Sequence, residues 1–128
     1  MILEYLSQKK ERLGKRYRAD NPRFRESCSI IAGEVAHLLL KDGKHPYLMR
    51  INGPIIDSMG NRKSITFNQL DKDVKSGAHI VCCEGEYVYD PIIGMPMALD
   101  KYLQTAFREN VDSEIVITSE NILEFLSR

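Results

Sequence analysis

Cysteine is scarce in this chain. Its 128 residues hold three, an odd count at spacings unlike a disulfide framework or a zinc ribbon, so reduced thiols are expected. No apolar run approaches the roughly 18 residues of a membrane-spanning helix, and no membrane partner is expected. The opening MILEYLSQKKERLGKRY lacks the basic, apolar, then small order of a secretory signal. The chain is therefore expected to be cytoplasmic when synthesised, with export by a signal-less route left open. Net charge is absent as well, with 18 Lys and Arg against 18 Asp and Glu. Repeats, linkers and low-complexity tracts are missing too. At this length the expectation is one domain over residues 1–128.

The charge that is present is unevenly placed. Residues 1–25 carry eight Lys and Arg, whereas five acids from Glu109 onward face Arg128 alone. The basic head reads as a solvated helix face attracted by the acidic tail. No basic strand is interleaved with aromatics, so nucleic acid is not expected as a partner. Residues 2–18 read as a helix with a thin apolar stripe of Ile2, Leu3, Leu6, Leu13 and Tyr17, and residues 1–20 are a candidate N-terminal arm. SCSIIAGEVAHLLLKDGKHP is the clearest helix. Ser27 is its candidate N-cap, Ile31, Ala32, Val35, Leu38 and Leu39 face the core, and Lys41, Gly43 and Pro46 stop it. YLMRI, RKSITF, AHIVCC, EYVYD and EIVIT read as strands, with NGPIIDSMGN, NQLDKDVKSG and PIIGMPM as connections. ALDKYLQTAFREN and SENILEFLSR read as helices, the last capped by Ser119. The expected fold class is α+β, with the cysteine-bearing helix packed on an antiparallel sheet.

One stretch concentrates chemistry: SGAHIVCCEGEYVYDP, residues 76–91. With Glu84-Gly85 as a two-residue turn, His79 falls directly opposite Asp90, Cβ atoms about 4.5–5.5 Å apart on one face. An imidazole there donates one ring N–H to the carboxylate, which fixes its tautomer and favours the imidazolium. Cys82 and Cys83 point to opposite faces, as strand neighbours must, so they neither share a metal nor act as a redox pair. Cys83 shares the face of His79 but lies roughly 13 Å along the strand. Both read as small apolar core residues.

A nucleophile for the His–Asp pair must come from elsewhere, and Cys28 is placed for it. It begins the long helix on the side of Ile31, Ala32, Val35 and Leu39. Unpaired N–H groups and the helix dipole at that end lower a thiol's pKa. If the helix lays its apolar face on the sheet, Cys28 meets His79, 51 residues later, as a thiolate–imidazolium pair oriented by Asp90. That is acyl-transfer chemistry, with neither metal nor other cofactor expected. The bland alternative is a structural cysteine beside a plain ion pair. His37, mid-helix, and His45, before Pro46, read as surface or structural.

ESCSIIAGEVAHLL and GAHIVCCEGEYVYDP resemble the papain-like and transglutaminase-like cysteine-enzyme superfamily. In that group a helix-borne Cys is followed by a His and then an Asp or Asn on neighbouring strands. The nearest pattern is that of small bacterial papain-fold toxin domains, with Cys heading a helix, Gly-x-His opening a strand and Asp-Pro ending the next. The similarity spans residues 21–108 and rests on few fixed positions. It implies a papain-like core with Cys28 as nucleophile, His79 as general base and then acid, and Asp90 as orienting partner. The papain family places a Gln six residues before the Cys, in the oxyanion hole. Pro22 stands there, and Asn21 is the candidate in its place. The backbone N–H of Cys28 and a neighbour is the alternative. Ser27 and Ser29 replace the usual tryptophan or glycine neighbours.

The function this resemblance implies is cysteine-dependent hydrolysis of amide bonds, as a peptidase or protein glutamine deamidase in an effector or toxin domain. Its partners would be a protein or peptide substrate and an inhibitor or immunity protein. NGPIIDSMGN and PIIGMPM are expected to flank the site and supply specificity. Two alternatives stand beside it: an inactive papain-fold protein that binds or regulates, and a regulatory protein with Cys28 as a redox sensor.

Overall fold

The computed structural model describes residues 1–16, 24–70 and 75–127, with the end of the first helix and the start of the second as backbone only. Two helices come first, α1 (Ile2–Arg16) and α2 (Phe24–Lys41). Strands β1 (Tyr47–Asn52), β2 (Ile65–Thr66), β3 (Lys75–Ser76), β4 (Ala78–Glu84), β5 (Tyr87–Val88) and β6 (Met97–Ala98) follow. Then come α3 (Leu99–Ala106), β7 (Asp112–Ile117) and α4 (Ile122–Leu126). Five strands form one sheet in the order β6-β5-β4-β1-β7, every neighbouring pair antiparallel. β2 and β3 pair separately. Mixed helices with an antiparallel sheet make the fold α+β.

β4 lies at the centre, between β1 and β5. His79, Val81 and Cys83 point to one face and Cys82 to the other, and all four are buried, so the sheet is covered on both sides here. α2 packs against β4. Its inward side is Ile31, Ala32, Val35, Ala36 and Leu39, while Leu38, expected there, is only half-buried. The stop is a Schellman motif: Gly43 adopts φ +74°, its N–H bonds the Leu40 carbonyl, and the Lys44 N–H bonds that of Leu39.

α2 begins earlier than its sequence signals suggest. Ser27 is the fourth helical residue, not the N-cap. In α1, Leu6 is fully buried in the core, but Leu3 is exposed. The side chains of Leu13 and Tyr17 lie outside the described residues. Tyr5 donates its hydroxyl to Glu34 of α2, and Lys9 pairs with the same carboxylate at 3.9 Å. Lys9 of the basic head thus pairs with a neighbouring helix, and the side chains of Lys15, Arg16, Arg18, Arg23 and Arg25 lie outside the described residues. The Lys10 side chain lies over Gly94, in the turn that follows Asp90.

Other departures concern short elements. Only Ile65 and Thr66 of RKSITF form a strand ladder, with Arg62 and Phe67 in isolated bridges, and only Tyr87 and Val88 of EYVYD. β3 falls in a segment read as a connection, and β6 joins the last residue of another, Met97, to Ala98, read as the start of a helix. Ladders of two residues leave no alternation to read. α4 is headed by Asn121 instead of Ser119, without a side-chain cap bond.

Candidate functional site

The hairpin of β4 and β5 sets the geometry of the site. Cys83 pairs with Val88 and Glu84 with Tyr87, so the turn is Gly85-Glu86 rather than Glu84-Gly85. Gly85 has φ +59°, and no non-glycine residue described has positive φ, which is the type II′ arrangement that follows strand twist. The register is therefore displaced by two residues, and Val81, not His79, stands across from Asp90's position. A displacement of two keeps each side chain on its own face. His79 still reaches Asp90, along a diagonal, with Nε2 and Oδ2 2.9 Å apart and each residue 3% exposed. An ionised carboxylate only accepts, so Nε2 is the donor.

Asp90 lies just past β5, where the chain turns. Its Oδ1 accepts the Ile92 N–H at 3.0 Å, and its Oδ2 also accepts the hydroxyl of Tyr102, on α3, at 2.6 Å. The Asp90 carbonyl accepts from the N–H groups of Ile93 and Gly94 at 3.0 and 3.3 Å. Burial alone raises a carboxyl pKa. The charge and N–H of His79, the Tyr102 hydroxyl and the Ile92 N–H outweigh it, and Asp90 is held below the usual carboxylate range. For His79 burial works downward, but the Asp90 charge and hydrogen bond, with a smaller effect from Cys28, raise the imidazole to about 9.

Two phenylalanines wall the imidazole. Phe67 meets it edge-on at 4.9 Å between ring centres, and Phe107 lies at 6.2 Å. Phe67 and Phe107 form an isolated antiparallel bridge, flanked by bonds from the Asn68 N–H to the Ala106 carbonyl and from the Arg108 N–H to that of Thr66.

Cys28 completes the group. It is 7% exposed. The His79 imidazole, the Ile80 N–H and the Ser29 side chain all act on its sulfur. Asp90 occupies Nε2, so the ring nitrogen that serves the thiol is Nδ1. Burial pushes the thiol up, but His79, Ile80 and Ser29 together bring it below its ordinary value. The helix dipole matters less than expected, because Cys28 is the fifth residue of α2 and the effect fades beyond the first turn. Donors from β4 take its place.

A cavity of about 10 Å³ adjoins the thiol, lined by Cys28, Ala32, His79, Asp90, Pro91 and Ile92 among others. PIIGMPM thus contributes two lining residues. NGPIIDSMGN contributes none, because it closes on itself: the Ile56 N–H bonds the Asn61 carbonyl and the Lys63 N–H that of Pro54, each at 2.8 Å. Asn21 and Pro22 lie outside the described residues.

Cys82 and Cys83 are 1% exposed. Burial raises both thiols, Cys83 to about 12. No disulfide joins the three cysteines. His37 and His45 are exposed. Among the described residues no group of three His, Cys, Asp or Glu could hold a metal ion, and no helix is long and apolar enough to cross a membrane.

Tyr102 is the member of the group that sequence reasoning missed. Its one signal was a tyrosine on the buried side of a helix, where a hydroxyl must find a partner. Imidazole, carboxylate and phenol thus form one hydrogen-bonded line, and with the thiol acting on the imidazole the group can hold a thiolate beside an imidazolium. No family model, curated protein or solved structure matches the chain.

Proposed function

We propose that the chain is a cysteine-dependent hydrolase of amide bonds with a papain-like core, acting as a peptidase or protein glutamine deamidase in a bacterial effector or toxin. The observation that carries this reading is the buried His79–Asp90 pair at 2.9 Å with the Cys28 thiol gathered to the same imidazole and the same cavity. Its order along the chain supports it, with the thiol on α2 and the His–Asp pair on the later hairpin. So does the direction of both shifts, the thiol downward and the imidazole upward. A nucleophile–base pair needs that combination.

In this reaction the Cys28 thiolate attacks the amide carbonyl carbon, and the carbonyl electrons move onto oxygen. Imidazolium Nδ1 delivers its proton to the leaving nitrogen as the C–N bond breaks, leaving a thioester. Water attacks the thioester, gives its proton to His79, and the C–S bond breaks to return the thiolate. Asp90 orients the ring and supports its charge without taking the proton. The N–H of Cys28 falls within the i→i−4 ladder of α2, bonding toward Phe24. The other candidate donor to the oxyanion is the Asn21 amide, which the resemblance to the papain family suggests.

The experiment is incubation of the protein with a cell lysate, followed by peptide mass spectrometry against Cys28→Ala. New peptide termini mark a peptidase, and glutamine converted to glutamate marks a deamidase. Identical products from both proteins would overturn the reading.

A second reading, an inactive papain-fold protein that binds or regulates, is favoured by one observation. Cys28 is 7% exposed beside a cavity of about 10 Å³, room for no more than a water. Hydrolysis requires this site to open. Alkylation rates that collapse as the agent grows from iodoacetamide to a peptide-sized electrophile would favour the second reading.

A further inference from the structure

We infer that Tyr102 is a positioning residue of the site, its hydroxyl holding Asp90 Oδ2 in place against Nε2 of His79. The inference rests on the catalytic reading of Cys28, His79 and Asp90 given above. Tyr102 is fully buried, and its hydroxyl lies 2.6 Å from the oxygen that His79 engages at 2.9 Å. The other oxygen is fixed by the Ile92 N–H, two residues along the same turn. That local bond alone leaves the carboxylate a broad torsion about its terminal bond. A second donor from a separate element fixes the carboxylate plane. α3 supplies it, with the Tyr102 ring set edge-on against Phe107 at 5.6 Å. Phe107 in turn stands beside the imidazole. One helix and the residue following it therefore brace the carboxylate and wall the ring it orients.

A buried tyrosine needs an acceptor in any case. If Asp90 were merely the nearest one, phenylalanine would serve the site equally well. The two roles differ in what reaches Cys28. A carboxylate free to turn supports the imidazolium less, so the thiolate–imidazolium pair forms at higher pH.

The test compares the full-length wild type, Tyr102→Phe, Asp90→Asn and the double variant, all checked for folding by thermal melting. One readout is the acid limb of Cys28 alkylation against pH. The other is the Nε2 proton signal of His79 in protein carrying nitrogen-15 histidine. We expect folded Tyr102→Phe to move the acid limb up by about one pH unit, roughly tenfold slower labelling below it, and to broaden or shift the Nε2 proton. In the Asp90→Asn background the same change should add nothing, because Tyr102 acts through Asp90. A limb and a proton signal identical to wild type would overturn the inference, as would an equal shift added on top of Asp90→Asn. If Tyr102→Phe does not fold, fluorotyrosine in place of Tyr102 makes a stronger donor of nearly the same size. It should displace the Nε2 proton, and an unmoved signal overturns the inference. A wild-type Cys28 that titrates as an ordinary thiol, with the Nε2 proton still moved by Tyr102→Phe, would sink the catalytic reading and leave the positioning intact.

Discussion

Asp90 meets His79 at 2.9 Å from a backbone position across from Val81, so the contact runs diagonally over one face of the sheet. Directly opposed pairs are the usual unit of cross-strand interaction, and diagonal partners stand about 7–8 Å apart at Cα. The reach of an imidazole and the turn after β5 close that gap. Both groups are deep in the protein, where an unpartnered charge costs far more than at the surface. The pair is stable because Asp90 collects three donors, from His79, Tyr102 and Ile92.

Substitutions in the line should separate chemistry from stability. Cys28→Ala should abolish amide hydrolysis while leaving the fold nearly intact; His79→Ala should abolish it too, at a cost in stability, because it leaves the buried Asp90 carboxylate without its ion-pair partner. Asp90→Ala should reduce activity less, because nucleophile and base remain. It also strips the acceptor from three buried donors, so urea unfolding should show a loss of roughly 3–5 kcal/mol. An Asp90→Ala protein as stable as wild type would contradict the buried network.

The pH dependence of stability has a defined sign. His79 is raised from 6.5 to about 9, so its contribution is complete below pH 6.5 and is lost as pH rises through 9. Asp90 is lowered, so its contribution is present above pH 3.8 and is lost as pH falls through its lowered value. Cys28, lowered from 9.0, opposes His79: its contribution is present above pH 9.0 and fades as pH falls through its lowered value. In Cys28→Ala the His79 slope stands alone. Unfolding free energy of that variant should decline between pH 6.5 and 9, and Asp90→Asn should flatten the decline. A flat profile in Cys28→Ala itself would mean that His79 is not raised.

The three cysteines should behave differently toward one reagent. At mildly acidic pH Cys28 should alkylate in the native protein. Cys82 and Cys83, buried with raised thiols, should label only on unfolding. Cys82→Ala should cost about 1 kcal/mol in stability and leave activity unchanged. A folded but inactive Cys82→Ala protein would show that the strand faces are misassigned.

Much of this site was legible because residue chemistry and strand parity survive small errors. The expected hairpin turn was off by one position, which moved the register by two. Only an odd displacement would have put His79 and Asp90 on opposite faces. Glu84-Gly85 and Gly85-Glu86 both place a glycine in the turn, and the choice depends on twist, which the sequence does not display. Cys28 was found through the apolar periodicity of α2, although Ser27, the supposed cap, lies inside the helix. Tyr102 was not found. Nothing local distinguishes a tyrosine that seals a core from one that reaches a carboxylate 12 residues earlier. β3 and β6 escaped because pairs of two residues are fixed by tertiary neighbours and not by their own pattern.

Whether α1 belongs to the folding unit can be read from one side chain. Leu6 is fully buried against the core. Leu6→Ala should lower stability by about 2–5 kcal/mol in urea unfolding, as deletion of a packed leucine does. A loss near zero would mark residues 1–16 as an arm that docks without supporting the fold.

The most direct measurement is the pH dependence of Cys28 alkylation, followed by mass spectrometry, in wild type and in His79→Ala. The account predicts a wild-type thiol that ionises below its ordinary value and returns toward that value, near 8.5, when the imidazole is removed. An ordinary thiol in the wild type, unchanged by His79→Ala, would contradict it.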